Sequence, residues 1–226
     1  MVDTLASGEV KMTGAATLKK HETFDSLRMK LFDAKREIIL EAAERVFAQV
    51  PFKKVSMRQI AREAGISHAT IYRYFPDQQA LFVEAFLRGV EEIIRILKSI
   101  IEKGGEHVIQ DVAEAFVTFL FDHDQYFKMM SKFMLEGEVA PSLYEKIDAI
   151  GRSLIDQFEA ALTLRGARGS SRILAHSFFS ALNGILITFH DYPGREREEI
   201  RRHARRLARL TARVFEEGGE RHNFLT

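Results

Sequence analysis

Residues 55–82 read VSMRQIAREAGISHATIYRYFPDQQALF, and this stretch decides the fold. Ser56 stands where it can cap a helix, and Gln59 three residues on completes a capping box. Ile60, Ala61 and Ala64 sit at helical spacing and are expected to face inward. Gly65 suits the left-handed position that closes a helix, which a Cβ would disfavour. Ile66 then tucks under the turn, and Ser67 caps a second short helix. Pro76, which has no amide hydrogen to give, stops that helix, and Asp77 caps the next.

Two helices about a glycine turn are common, and most such turns bind nothing. The second helix sets this one apart, because it has too few apolar residues to be a core helix. It presents Ser67, His68, Thr70, Tyr72, Arg73 and Tyr74, groups that reach phosphates and base edges. The pattern is that of a helix-turn-helix, whose second helix lies in the major groove of DNA. Ser56 and Arg58 at the start of the first helix join this DNA-binding set. His68 and Arg58 are the candidates for base edges, Thr70 and Tyr72 for phosphates.

Upstream and downstream residues extend the pattern. Arg36, Ile38, Ile39, Ala42, Ala43, Phe47 and Phe52 precede it, and Phe75 and Leu81 follow Thr70 and Tyr72. With Ile60-Ala61 and Ala64-Gly65-Ile66-Ser67, these anchors make residues 36–82 resemble the DNA-binding domain of the TetR (tetracycline-repressor) family of bacterial transcriptional regulators. The resemblance covers about a quarter of the chain. It implies a repressor with a small effector bound downstream of the DNA-binding domain. One position departs from the family: Gln78 stands where Lys is usual, at a site that the resemblance makes a phosphate contact.

The rest of the chain reads as all-α, with no strand-like alternation of convincing length. Residues 1–32 are expected to be a tail, partly flexible, in which Lys11, Lys19 and Lys20 are mainly solvated. Residues 33–82 form the helix-turn-helix domain, and residues 83–226 an effector-binding and dimerisation domain. Helical periodicity begins at Phe24, so the first main helix starts between Asp25 and Asp33 and ends near Gln49. A long helix runs from Asp77 to Gly104-Gly105 and touches both domains. Further helices are expected over about residues 106–122, from Asp124 to Gly137, from Pro141 to Gly166 or Gly169, over 170–190 and over 196–217.

The middle of the chain is soft and aromatic. Phe116, Phe119, Tyr126, Met130, Phe133, Met134, Phe158 and Phe179 can part around an apolar ligand, because thioethers repack cheaply. Tyr144, His176 and Asn183 are polar residues in apolar stretches and are candidates to hold a ligand's polar end. No cluster of buried Arg or Lys is evident, which favours a small, largely apolar effector over a nucleotide. Ile200, Leu207 and Val214 recur every seven residues, a seam for a partner helix in a homodimer. Leu182 and Leu186 of the preceding apolar helix are expected to join that seam. The Arg-rich opposite face of the last helix reads as solvated.

Composition bounds these readings. With 226 residues and 46% hydrophobic content the chain can bury a sizeable core. Cys is 0, so disulfides and thiolate zinc sites are excluded, which fits a cytoplasmic protein. The first 20 residues lack a signal-peptide core. No apolar run approaches the roughly 20 residues of a membrane span, so no membrane partner is expected. Net charge is only +1, so affinity for double-stranded operator DNA must come from local basic groups. No motif calls for a cofactor or a metal. Two rivals remain in view: a transcriptional activator answering another signal, and an all-α metal-dependent phosphohydrolase built on His123-Asp124 and His190-Asp191.

Overall fold

The computed structural model describes residues 23–136, 141–166 and 171–221, with side chains described except at 132–136, 142 and 219–221. Of the expected tail over 1–32, residues 1–22 lie outside the described residues, as do the stops at Gly137 and Gly169 and the side chains of Phe133 and Met134, whereas residues 24–32 are helical. The chain forms two compact units, residues 1–35 and 36–226. The boundary falls inside the first helix, α1 (Phe24–Gln49). In the first unit, Thr23 Oγ1 accepts from the Ser26 amide at 3.3 Å at the start of α1. Phe24, Leu27 and Leu31, which carry the first part of the helical period, are exposed.

Among the described residues of the second unit, a 3₁₀ turn (Phe52–Lys54) precedes α2 (Met57–Glu63) and the one-turn α3 (His68–Ile71). Then follow α4 (Gln78–Lys103), α5 (Val108–Asp122), α6 (Asp124–Glu136), α7 (Pro141–Leu164), α8 (Ser171–Phe189) and α9 (Arg197–Arg221). No strand occurs among the described residues, so the chain is all-α. The helix starts fall where the capping residues put them. Ser56, Ser67 and Asp77 each accept the backbone amide three residues on, at 3.3, 3.1 and 2.8 Å.

The turn after α2 closes as the glycine demands. Gly65 has φ +68°, its amide donates to the Arg62 carbonyl, and the Ile66 amide donates to the Ala61 carbonyl at 2.9 Å. α3 is shorter than the run to Pro76 implied. After Ile71 the chain tightens, with the Arg73 amide on the Thr70 carbonyl and the Tyr74 amide on the Ile71 carbonyl, and Phe75 is drawn into the core. The core beneath these helices is α1 residues Ile39, Ala42, Ala43 and Phe47 packed with Ile60, Ile71, Leu81 and Phe82. Phe47 and Phe82 meet edge to face at 5.0 Å.

This core continues without a break into the downstream helices. The expected boundary at 82–83 lies inside α4, which runs through it. α5 packs on α9, α7 on α4 and α8, and α8 on α9. By length and composition α8 is apolar enough to cross a membrane, contrary to the expectation that no run comes near. It is a core helix here: Ala175, Phe178, Leu182 and Leu186 are buried against its neighbours. Arg205 and Arg209 of α9 both bond Glu114 of α5, the Arg205 Nε at 2.7 Å. Burial alone would raise the Glu114 carboxyl, but these two guanidiniums outweigh it and hold the group below its ordinary value.

Candidate DNA-binding face and effector cavity

Ser56, Arg58, Ser67, His68, Tyr72 and Arg73 are exposed on α2, α3 and the turn after them, and Thr70 and Tyr74 are half-buried beside them. His68 and Tyr72 form an edge-to-face pair at 5.2 Å, with the Tyr72 hydroxyl 3.5 Å from His68 Nε2. Arg58, Arg62 and Arg73 have no carboxylate partner among the described residues, so their charge is open to an outside anion. Ser56 and Ser67 spend their hydroxyls on helix caps, and Ser67 Oγ also lies 2.7 Å from Thr70 Oγ1. These two serines therefore order the helices while staying exposed on the same face.

Gln78 is a correction. Its Nε2 donates to the Phe52 carbonyl at 2.7 Å, and its side chain is half-buried. A free backbone acceptor in the 3₁₀ turn has captured the amide, so the side chain ties α4 to that turn instead of reaching outward. α1 is held to the same unit by ion pairs. Arg36 reaches Glu84 at 2.8 Å and lies over the Phe75 ring at 5.1 Å, and Arg45 reaches Glu63 of α2 at 2.8 Å.

Downstream, α4, α6, α7 and α8 enclose an open cavity of about 800 Å³. Phe86, Val90, Met130, Ile147, Leu154, Ile155 and Phe179 supply an apolar wall, with Tyr144 and His176 among the polar residues. A second, smaller space of about 20 Å³ adjoins it and shares Phe86, Val90, Met130 and Leu154. Phe116, Phe119 and Tyr126 complete that inner wall. Thus Met130, Tyr144, His176 and Phe179 meet at the large cavity, and Phe116, Phe119, Tyr126 and Met130 at the small one.

Two of the expected ligand contacts do not line either space. Phe158 is fully buried behind the wall, packed on Phe116 at 5.3 Å and Phe178 at 5.7 Å. Asn183 is buried and donates Nδ2 to the Phe179 carbonyl of its own helix at 2.9 Å. Sequence reasoning missed Phe86 and Val90 on α4, whose helical period fits any core helix. It also missed Arg152 and Arg172 at the cavity mouth. Both are already committed: Arg152 to Asp148, and Arg172 to Asp156 and, at 3.1 Å, Glu159.

The dimer seam also needs correcting. Leu182 and Leu186 are 0% exposed, and Ile200 is buried too, so these residues belong to the protomer's own core. A heptad spacing says that a seam exists but not which helix fills it. The exposed apolar residues of α8 and α9 are instead Ile173, Ile187, Leu210 and Val214, the last two at 59% and 63%. Leu207 is half-buried between the two sets.

The two His-Asp pairs partly converge. His190 is buried, with Nδ1 3.1 Å from Asp191 and Nε2 3.4 Å from Asp124, and its ring stacks on Phe127 at 3.9 Å. Asp124, His190 and Asp191 are close enough to share an ion. His123 stays out of this group, its Nδ1 2.9 Å from the Phe119 carbonyl. Both imidazole nitrogens of His190 face carboxylates, Nε2 without a hydrogen bond, and Lys128 pairs with Asp124 at 2.7 Å, so these residues form a polar tie between α6 and the end of α8.

The arrangement of α2 and α3 has counterparts in known proteins. Residues 39–85 match the family described as bacterial regulatory proteins, tetR family. The HTH-type transcriptional regulator RutR of Escherichia coli O157:H7 is 29% identical over 160 residues, which is 70% of this chain and 68% of RutR. An uncharacterized HTH-type transcriptional regulator of Mycobacterium tuberculosis is 51% identical over 43 residues, 19% of this chain and 21% of that protein. Among solved structures, the transcriptional regulator FadR from Bacillus subtilis in complex with stearoyl-CoA aligns with a TM-score of 0.68 at 16% identity. That alignment covers 80% of this chain and 98% of FadR, and it is a likeness of fold. On the capped helix-turn-helix, its exposed basic face and these matches, residues 39–85 form a DNA-binding domain of the tetR type, and the chain is similar to HTH-type transcriptional regulators.

Proposed function

We propose that this regulator is a cytoplasmic repressor that binds duplex operator DNA as a homodimer and is released by a small, largely apolar effector. The observation that carries the effector reading is the cavity of about 800 Å³ with its apolar wall. The guanidiniums at its mouth are spent on Asp148, Asp156 and Glu159. Among the described residues that line it, a polyphosphate finds no uncommitted Arg or Lys, and its burial is costly. An apolar body with one polar end near His176 or Tyr144 fits better. The stearoyl-CoA held by FadR belongs to a protein alike in fold, and it agrees with an apolar body without deciding the head group.

On the DNA side, Arg58 and His68 are the proposed base readers, with Thr70, Tyr72 and Arg73 on phosphates. The proposed dimer contact is the exposed stripe of Ile173, Ile187, Leu210 and Val214, met by the same stripe of a second copy. A dimer of this kind spaces its recognition helices by about 34–36 Å, one turn of DNA. The test begins with an operator selected from random duplexes. Decanoate and 2-naphthoate, set against AMP and glucose 6-phosphate, are then assayed by thermal shift and by operator release. Stabilisation and release by the apolar compounds are expected; stabilisation by the phosphorylated compounds alone overturns the reading.

A further inference from the structure

Among the described residues Glu44 is the one buried acid, at 4% exposure. A carboxylate taken out of water must be met by hydrogen bonds or a counter-charge. Glu44 lies on α1, and its partners come from two other helices. The Tyr126 hydroxyl of α6 donates to Glu44 Oε1 at 3.0 Å, and Arg88 Nε of α4 meets the same oxygen at 3.0 Å. Burial pushes the Glu44 carboxyl up despite these partners. Burial, with the Glu44 charge beside it, pushes the Tyr126 phenol up to about 12, so the phenol keeps its proton and remains the donor.

The same tyrosine walls the inner cavity. Its ring lies flat against Gly89 of α4, where an added Cβ would sit 2.6 Å from ring Cγ and Cε1. On another side it stacks on Phe119 at 5.9 Å. The inner space holds only about 20 Å³, room for roughly one water. A ligand body that passes Met130 from the large cavity must therefore move the ring. The ring cannot retreat into the α4 backbone, so the motion draws the hydroxyl off Glu44. One residue further along α1, Arg45 is bonded to Glu63 of α2, so a shift of α1 reaches the helix-turn-helix directly.

We propose that Tyr126 couples the cavity to the DNA-binding helices: an effector that reaches past Met130 displaces its ring, breaks its bond to Glu44 and disfavours the DNA-binding arrangement. This rests on the effector reading of the cavity given above. A ligand can act this way only through its different affinity for the two arrangements.

The test uses the full-length protein, its selected operator and straight-chain alkanoates from hexanoate to hexadecanoate, each below its micellar concentration. Calorimetry measures alkanoate binding, and anisotropy measures operator affinity with and without alkanoate. In wild type, a bound alkanoate weakens the operator complex by roughly 5–150-fold. Tyr126→Phe keeps the ring and removes the hydroxyl. It is expected to bind alkanoate more tightly than wild type, because the ligand no longer has a bond to break, to hold the operator more weakly from the start, and to show a remaining effect of at most about twofold. Glu44→Gln keeps an acceptor for the hydroxyl and is expected to retain the wild-type effect. A wild-type effect in Tyr126→Phe overturns the coupling while leaving the cavity reading intact. Loss of the effect in Glu44→Gln overturns it as well, by assigning the link to the charge. If no alkanoate binds wild type or weakens its operator complex, the cavity reading falls, and the coupling with it.

Discussion

Gln78 donates its side-chain amide to the Phe52 carbonyl at 2.7 Å, tying the first turn of α4 to the turn ahead of the helix-turn-helix. Gln78→Ala is therefore expected to cost about 1 kcal/mol of stability, the usual net worth of such a bond. Operator affinity at a temperature where both proteins are folded should change by less than about twofold. Thermal melting and operator titration together decide it. An unchanged melting temperature with a tenfold weaker operator complex would return Gln78 to the DNA face.

His68 and Arg58 stand exposed at the starts of α3 and α2. Replacing either by Ala should cost roughly 1–3 kcal/mol on the selected operator and relax the preference at particular base pairs. Arg73→Ala should instead weaken binding evenly across sequences and flatten the salt dependence. Selection from random duplexes with each variant reads both effects. A uniform loss for His68→Ala and Arg58→Ala would sink the assignment of base contacts.

Leu210→Glu places a charge on the exposed stripe of α9. Protomer stability should stay within about 0.5 kcal/mol, because the site is open to water in the protomer. Sedimentation should then show monomer, and operator affinity should collapse with it. Leu182→Ala makes the contrast: it opens a hole in the protomer core and should cost about 2–5 kcal/mol while leaving the folded protein dimeric. A dimeric Leu210→Glu variant would place the interface on another face.

Glu114 is held below its ordinary value of 4.5, with burial opposing and Arg205 and Arg209 prevailing. The unfolded chain then binds the proton more readily, so this pair of bonds stabilises fully above the ordinary value. The contribution fades as pH falls from there through the lowered folded value. Glu114→Gln should be less stable than wild type at neutral pH, with the gap narrowing in that acid window. Urea melts over a pH series give the comparison; a gap that stays constant with pH would contradict it.

Met130 stands at both cavities. Met130→Trp should fill the passage between them, so that apolar compounds no longer release DNA while operator binding itself persists. Loss of operator binding in a variant that melts like wild type would show that the residue serves DNA binding and not the effector.

The helix starts were legible because their chemistry is local. Ser56, Ser67 and Asp77 bond amides three residues away, and Gly65 needs only its own φ. The apolar wall was half legible: Met130 and Phe179 stood out by composition, but Phe86 and Val90 fit the period of any core helix. Side chains whose partners lie far along the chain could not be read. Gln78 finds Phe52, and Glu44 finds Tyr126 across 82 residues. Nothing in a single helix period marks either. α8 is apolar nearly all round, so its period could not say that Leu182 faces inward and Ile187 outward.

The notch at Gly89 has a consequence for how such a sequence can change over time. While an aromatic ring occupies position 126, any side chain at 89 collides with it. A lineage can enlarge residue 89 only after residue 126 has shrunk. An early loss of Tyr126 in turn strands Glu44 with Arg88 alone. One step of the tolerated order is thus fixed: the ring at 126 gives way before glycine at 89 does. Descendants enlarged at 89 should carry a smaller residue at 126, and intermediates with only the change at 89 should be missing.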